Sequence, residues 1–415
     1  MSWPAEDGGG RRVAVAEGGL RGALRTTAVR DAVGTTMVIA SDDVFVLRHT
    51  LGRRPLVDPV VAWVERIDPL TLEPLARSVD LPAGPFWPGG LAVHADGSLH
   101  VVMGTWCHRL SPDLSLLASA RLPGPRPYNS FVTLGDGTLA MKDFDRAGLV
   151  PARLVFLDPE TLARRAPDVT LPEAAIARLS ADDEHLYVVG ARSVMRLRDG
   201  AIDPDWRFEY LQPGGSYGWD PVVAGGQLWF MDNGAHDFVT TMRGAGVAPG
   251  PVHLIRVSLA DAADHEVVEV CGLPRGAVTD PPLYDEARRI AVAYDSANGV
   301  VQAFRFEGSL RPLWRRSLSH AAHMVLFGET GELVLHDYHG PAWQRTRAGR
   351  AFGRRFTAPL RREGLRRALT RMSRDEVVVV DIETGEERGR AAVPTLMQSV
   401  VFPAPGFDRD VYWCT

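Results

Sequence analysis

Four aspartates, Asp143, Asp232, Asp295 and Asp337, each close a short apolar run, as in Leu139-Ala-Met-Lys-Asp143 and Ile290-Ala-Val-Ala-Tyr-Asp295. Two more, Asp220 and Asp280, open such runs. Carboxylates recurring at one kind of position can serve as general acid or base where burial raises their pKa, or they can ligate Ca²⁺. The competing role is to cap a turn by accepting the backbone amides that follow. Capping accounts simply for any one of them; the shared placement argues for a ring of acids with catalytic duty. Histidines gather beside these acids: His320, His323, His336 and His339 within twenty residues, and His236 just after Asp232. Imidazole with carboxylate suits Zn²⁺, Fe²⁺ or Mn²⁺. The five histidines are the expected metal ligands, with Asp337 or Asp232 completing the shell and His323 and His336 as further acid–base candidates. Strand residues three apart face opposite ways, so the spacing is not that of a helical zinc pair. Loop histidines bonded to the backbone are the alternative. Lys142 is the one lysine among 46 basic residues and sits beside Asp143. An arginine-favouring genome explains the bias, yet lysine is the cation whose pKa burial can lower into a catalytic range. Phe86, Trp87, Trp106, Tyr128, Tyr217, Trp219, Tyr294 and Tyr338, with the amides Asn129, Asn233 and Gln398, occupy the same loops. They are the expected substrate contacts, although packing is a sufficient role for about half of the rings. No GxSxG nucleophile, phosphate-binding GKS/T loop or Gly-rich dinucleotide fingerprint stands in a supporting context.

The elements that must position these groups repeat along the chain. Short β-rich runs are joined by turns such as Asp96-Gly-Ser98, Asp136-Gly-Thr138 and Gly225-Gly226, then Asp68-Pro-Leu-Thr71, Asp158-Pro-Glu-Thr161 and Asp381-Ile-Glu-Thr-Gly385. Such dipeptides mark hairpins for steric reasons. Four strands per period of roughly 40–50 residues are the mark of a β-propeller. First and second strands are expected at about 36–48, 90–104, 130–144, 175–190, 220–232, 277–295, 322–336 and 398–414. Third and fourth strands fall near 59–81, 106–122, 152–171, 193–210, 252–273, 299–318 and 376–394. Val13-Ala-Val-Ala-Glu-Gly-Gly-Leu-Arg-Gly-Ala-Leu24 reads like the run from Val377, so 11–30 is expected to complete the C-terminal blade and remove an open edge. The expectation is a single all-β domain over 1–415, an eight-bladed propeller, or seven-bladed if 11–30 packs elsewhere. Tight hairpins fall on one face. The crossings between blades and the loops after second strands fall on the other, where the acids, imidazoles and rings converge around the channel mouth.

The Glu383-Thr-Gly-Glu turn resembles that of a quinoprotein blade, and Asp232-Asn-Gly and Asp295-Ser-Ala-Asn are similar to the acid/amide metal ligands of the gluconolactonase and strictosidine-synthase group. The resemblance implies a propeller and, in those groups, a quinone or a divalent metal at the channel. The tryptophan that follows the quinoprotein turn is missing in every unit, so a bound pyrroloquinoline quinone is not expected. The cofactor is otherwise undetermined, with Zn, Fe, Mn or Ca the metals in view.

The 45% apolar content suits a globular chain with a large core. No run approaches the ~20 apolar residues of a membrane helix. Met1-Ser-Trp-Pro lacks a secretory layout and three cysteines make no disulfide framework, so a cytoplasmic protein is expected. Residues 341–374 carry 11 arginines against one glutamate, an insertion in the seventh unit expected as a lid or docking segment, while the whole chain has net charge −5. A nucleic-acid partner is not expected, because the basic stretch lacks interleaved aromatics. The functional expectation is a small-molecule enzyme at the channel mouth, doing acid–base or metal-assisted hydrolase or lyase/isomerase chemistry. The alternative is a non-catalytic propeller that binds a protein or a ligand.

Overall fold

The computed structural model describes residues 2–20, 24–30, 33–50, 58–85, 87–145, 147–235, 246–339, 364–365, 368, 370, 375–394, 400–404 and 410–414. Phe86, His236, Gln398 and nearly all of the Arg-rich segment lie outside the described residues. Strands follow one another in antiparallel sheets built from consecutive segments. The first sheet is Gly34–Ala40, Asp43–His49, Pro59–Ile67 and Pro74–Arg77, with Leu81–Pro85 also paired to its third strand. The second is Pro88–Val93, Leu99–Met103, Trp106–Leu110 and Leu116–Arg121; the third is Tyr128–Thr133, Leu139–Asp143, Arg153–Leu157 and Val169–Thr170. The fourth is Ser180–Ala181, Leu186–Val189, Ser193–Arg198 and Ala201–Glu209. These four sheets, with the first twelve residues, form one compact unit.

A second unit holds the rest, with Val13–Thr27. Its sheets are Val222–Ala224, Gln227–Met231, His253–Ser258 and His265–Glu269, then Leu283–Asp285, Ile290–Asp295, Val300–Phe306 and Leu310–Ser317. The seventh is Ala321–Phe327, Glu332–Asp337, Asp375–Asp381 and Glu387–Val393, and the last is the pair Val400–Ala404 and Asp410–Cys414.

Burial explains why these segments read as they do. Second strands such as Leu99–Met103 and Ile290–Asp295 are buried at every position, whereas the fourth strand Leu310–Ser317 mostly alternates exposed with half-buried. Inner strands are covered on both faces by neighbouring sheets and are therefore continuously apolar. In the first unit Leu47, Val64, Leu91 and Val101 join the first two sheets, and Val102, Tyr128, Met141 and Val155 join the next two. In the second unit Trp229 stacks on Tyr284 at 4.4 Å and meets Phe306 edge-on.

The expected turn chemistry is present. Asp68 accepts the amides of Leu70 and Thr71, Asp158 those of Glu160 and Thr161, and Asp381 those of Glu383 and Thr384. Each turn then passes through a left-handed residue: Leu72, Leu162 and Gly385. Only the glycine adopts that conformation without a Cβ cost.

The N-terminal segment departs from expectation. Val15–Ala16 pairs in parallel with Leu326 and Phe327 of the seventh sheet, and among the described residues no strand from 11–30 joins the C-terminal pair. The reason is an open edge. The carbonyls of Ala14 and Ala16 accept the amides of Leu326 and Gly328, on the free side of a first strand. Beyond it, Leu20 N donates to Glu332 and the Thr26 hydroxyl to the Ala392 carbonyl.

Three buried histidines of the first unit are held neutral. Burial lowers His49 and His100 from 6.5 to about 4, and lowers His108 as well. Their ring nitrogens bond the carbonyls of Thr50, Pro159 and Pro82. Above pH 6.5 they do not affect stability. As pH falls from 6.5 toward 4, the unfolded chain takes up protons that the folded unit refuses, so stability drops. At pH 5 the loss is about 2 kcal/mol for each of His49 and His100. Hydrogen exchange at pH 7.5 and pH 5 should show strands 43–49 and 99–110 losing protection in acid; unchanged protection there would refute neutral burial.

Candidate functional site

The recurring aspartates sit where expected, and their geometry states what they do. Asp143 Oδ1 accepts the Arg153 amide at 2.7 Å, and its other oxygen meets Arg126 at 2.8 Å. Asp232 accepts the His253 amide at 2.6 Å and His253 Nδ1 at 2.7 Å. Asp295 takes the amides of Ala277 and Asn298 together with the Asn298 side chain. Asp337 takes the amides of Ser319 and His320. All four are buried. They tie the loop after the second strand, or the crossing that precedes the first, to the sheet end, which is the capping role. Two carboxylates that sequence reasoning missed do the same from other positions: Glu173 accepts the Arg192 amide and the Ser193 hydroxyl, and Asp375 accepts the His339 amide.

Lys142 is fully buried, and its ammonium donates to Asn129 Oδ1 at 2.9 Å and the Ala175 carbonyl at 2.8 Å. Asn129 in turn donates to the Ile176 carbonyl. The pair fastens the crossing at 175–176 to the third sheet. Asn233 is likewise enclosed, bonding the Ser216 amide and the carbonyls of Gly250 and Pro251.

The histidines separate into different roles. His336 Nε2 meets Asp375 Oδ2 at 2.9 Å with both side chains sealed from solvent, and the Trp413 ring packs edge-on at 4.5 Å. His323 Nδ1 faces the Val401 amide, and His320 packs against Tyr338. His339 bonds Glu376 at 3.1 Å and Ser319 at 2.9 Å. Among the described residues, three ligand-bearing groups come within mutual reach only at Asp337, His339 and Glu376. Arg390 is already there, bonded to Glu376 and 3.8 Å from Asp337. The expected histidine shell is therefore not assembled by the four described histidines. The two HxxH runs lie at one end of a strand pair, yet their rings take different partners.

Asp232 and His253 form a carboxylate–imidazole pair. Burial pushes the Asp232 carboxyl above its usual range. Burial opposes a charged His253, yet its hydrogen bond to Asp232 raises it above the usual imidazole value.

Asp220 and Asp280 behave differently. Both act electrostatically on Tyr294, which is fully buried; its hydroxyl has Thr279 and the Asp280 backbone beside it but makes no hydrogen bond of good geometry. Burial, with the Asp280 and Asp220 carboxylates nearby, holds that hydroxyl well above its usual value. Thr279 donates to Asp280 Oδ2 at 2.9 Å and lies 3.5 Å from the Ser296 hydroxyl. Asp220, Asp280 and Tyr294, three of the expected site residues, are thus electrostatically coupled. Their position at the starts of first strands and in a second strand was legible; Thr279 and Ser296 carried no sequence signal.

The rings are mostly packing. Trp87 meets Phe144 edge-on, Trp106 stacks on His108, and the Tyr128 hydroxyl donates to the Pro123 carbonyl. Tyr217 and Trp219 stack at 6.4 Å around Gly234, where a Cβ would lie 2.7 Å from both rings.

No protein-family model matches the sequence. No curated protein matches it either. The backbone is similar to BamB from Moraxella catarrhalis, at 12% identity and TM-score 0.50 over 87% of this chain and 95% of that one. It is also similar to the quinohemoprotein alcohol dehydrogenase ADHIIG from Pseudomonas putida HK5, at 9% identity and TM-score 0.58 over 98% of this chain and 74% of that one. With the sheet order above, these likenesses make the fold a β-propeller. Among the described residues no helix is long and apolar enough to cross a membrane.

If the caps are structural, their removal must cost stability. Asp295→Ala strands the amides of Ala277 and Asn298, and Lys142→Met strands Asn129 and the Ala175 carbonyl. Each should lower unfolding free energy in urea by about 2–3 kcal/mol. Wild-type stability in either variant would return that residue to the list of functional candidates.

Proposed function

We propose that this chain is a small-molecule enzyme, an eight-bladed β-propeller acting in the cytoplasm, whose acid–base chemistry is carried by Asp220, Asp280 and Tyr294. The observation that supports the reading is the Tyr294 hydroxyl, a fully buried polar group under the influence of two carboxylates and without a hydrogen bond of good geometry. Such a group costs stability, and active sites are where that cost is retained. In this reading Asp280, one oxygen held by Thr279, removes a proton from an organic substrate, and Asp220 serves as the second carboxylate. Tyr294 stays protonated far into the alkaline range and donates a hydrogen bond to the oxygen on which charge develops. That division of labour suits a lyase or isomerase step better than hydrolysis, which would need a placed nucleophile. Among the described residues, a divalent metal, Zn²⁺, Fe²⁺, Mn²⁺ or Ca²⁺, would enter by replacing Arg390 at Asp337, His339 and Glu376, and no step above requires it. Because Val15–Ala16 joins the seventh sheet, the count of eight rests on the C-terminal pair alone as a two-stranded blade beside seven sheets of four or more strands; without it the count is seven.

The second reading is a non-catalytic scaffold with a protein partner. It is favoured by Leu149 and Val150, 81% and 47% exposed on the loop after the third sheet's second strand.

The test pairs stability with ligand binding. Tyr294→Phe should keep or raise the melting temperature, because the hydroxyl it removes has no good partner. A metabolite library screened by ligand-observed NMR should give binders to the wild type that are lost in Asp220→Asn and Asp280→Asn, and turnover of those binders should fall at least 100-fold in Tyr294→Phe. Binders indifferent to all three substitutions would sink the acid site. A Leu149→Asp variant that alone abolishes a protein interaction would favour the scaffold.

A further inference from the structure

The first unit contains a cavity of about 110 Å³ that the acid cluster does not use. Its floor is the N-terminal segment from Pro4 to Arg12, and its walls are Gly89–Val93 and Phe131–Thr133. The floor is built tightly. Trp3 exchanges hydrogen bonds with Ile39, the Pro4 carbonyl accepts the Val93 amide, and the Gly10 carbonyl accepts the Ala181 amide. Asp7 and Arg12 are left-handed, and their side chains close the turn at 2.8 Å.

The walls are backbone rather than side chain. Leu91 and Phe131 direct their side chains into the cores between sheets, leaving the strand edges toward the cavity. Both belong to first strands, which lie at the edges of their sheets. Along an antiparallel edge, alternate residues turn N–H and C=O outward. His94 N donates to Ser98 and Leu134 N to Thr138, so those residues face their hairpin partners. Counting back along each regular ladder, Val93 and Thr133 face outward, and so do Leu91 and Phe131. The Val93 amide confirms the phase by bonding Pro4.

Arg12 supplies the third donor. It is 4% exposed; Nε donates to the Leu179 carbonyl and Nη1 to Asp7, with Glu6 at 3.6 Å. Among the described residues Nη2 has no acceptor, and Arg12 lines the cavity. Glu6, which also lines it, is engaged by Arg178. Arg12 and Arg178 offset Glu6 and Asp7, so a bound anion adds one net charge, placed on the outward N–H groups of the edges and on Arg12 and away from the carbonyls that the same residues turn outward.

We propose that this cavity binds a small organic carboxylate, its oxygens on the edge amides of Leu91 and Phe131 and on Arg12 Nη2. A cavity of about 150 Å³ holds the six heavy atoms of benzene, so this one takes about four or five. The site is made of different residues from the acid cluster, and either can fail without the other.

Propionate is the probe and benzoate the size control, each titrated into the full chain by isothermal calorimetry and ligand-observed NMR. Propionate should bind one-to-one and saturably, and benzoate should not. Arg12→Lys loses the planar fork and should weaken propionate at least 10-fold. Because Arg12 also holds Asp7 and the Leu179 carbonyl, Gly10→Val is the second variant. Gly10 has no left-handed φ, and a Cβ there lies 3.6 Å from its nearest neighbour. It should fill the cavity, leave the melting temperature within a few degrees, and abolish binding. Absence of saturable propionate binding to the wild type, or equal affinity in a folded Gly10→Val, would overturn the proposal.

Discussion

A loop that leaves a buried strand end carries amides with no ladder partner, and a buried amide must find an acceptor. This chain meets that constraint with a carboxylate at sheet after sheet. Asp143, Asp232, Asp295, Asp337, Asp375 and Glu173 all accept backbone N–H groups beside the ends of second strands. An ionised carboxylate suits the task because it offers about four lone-pair sites and makes stronger bonds than a neutral acceptor. Asp295 accepts two amides and an amide side chain at once. The supplier varies while the bond persists. In the fourth sheet the second strand ends in Val189-Gly190, and Glu173 reaches the same kind of amide from the preceding crossing.

That variation explains what was legible in the sequence and what was not. The turns at Asp68, Asp158 and Asp381 were legible because an Asx turn is a local device, complete within four or five residues. The repeat was legible because inner strands are covered on both faces, which imposes continuous apolar runs at a fixed period. The acids at strand ends were located but not interpreted, since position does not say whether a carboxylate faces an amide or a substrate. Glu173 and Asp375 were missed because neither closes a second strand, the position at which the other acids recur. The histidines misled for a similar reason: His336 and His339 straddle the end of one strand, one sealed against Asp375 and the other turned toward Glu376.

The N-terminal segment shows the same limit from the other side. Val13-Ala-Val-Ala has strand composition, and composition cannot distinguish a new outer strand from a short parallel addition to an open inner edge. The structure uses the segment on edges in both units: Trp3 with Ile39, Pro4 with Val93 and Gly10 with Ala181 in one, Ala14 and Ala16 with Leu326 and Gly328 in the other. The left-handed backbone at Asp7, Arg12 and Ala14 costs on the order of 1 kcal/mol or more at each residue. The edge hydrogen bonds and the buried Asp7–Arg12 pair offset that strain. Length and sidedness of an edge strand are decided by what it covers, so no reading of residues 11–30 alone reaches this arrangement.

Function is then best sought by subtraction. The most conspicuous polar residues of the sequence, the repeated aspartates and the single lysine, are committed to holding loops, and their bonds account for their burial. Two buried groups among the described residues stand in surroundings that suit a ligand. Tyr294 keeps a hydroxyl near two carboxylates without a hydrogen bond of good geometry, and Arg12, bonded through Nε and Nη1, lines a cavity. Neither is remarkable by residue type or spacing. What distinguishes them is what lies beside them, two carboxylates near Tyr294 and a cavity lined by Arg12. Those surroundings are the physical reason to look for ligands there rather than at the aspartates.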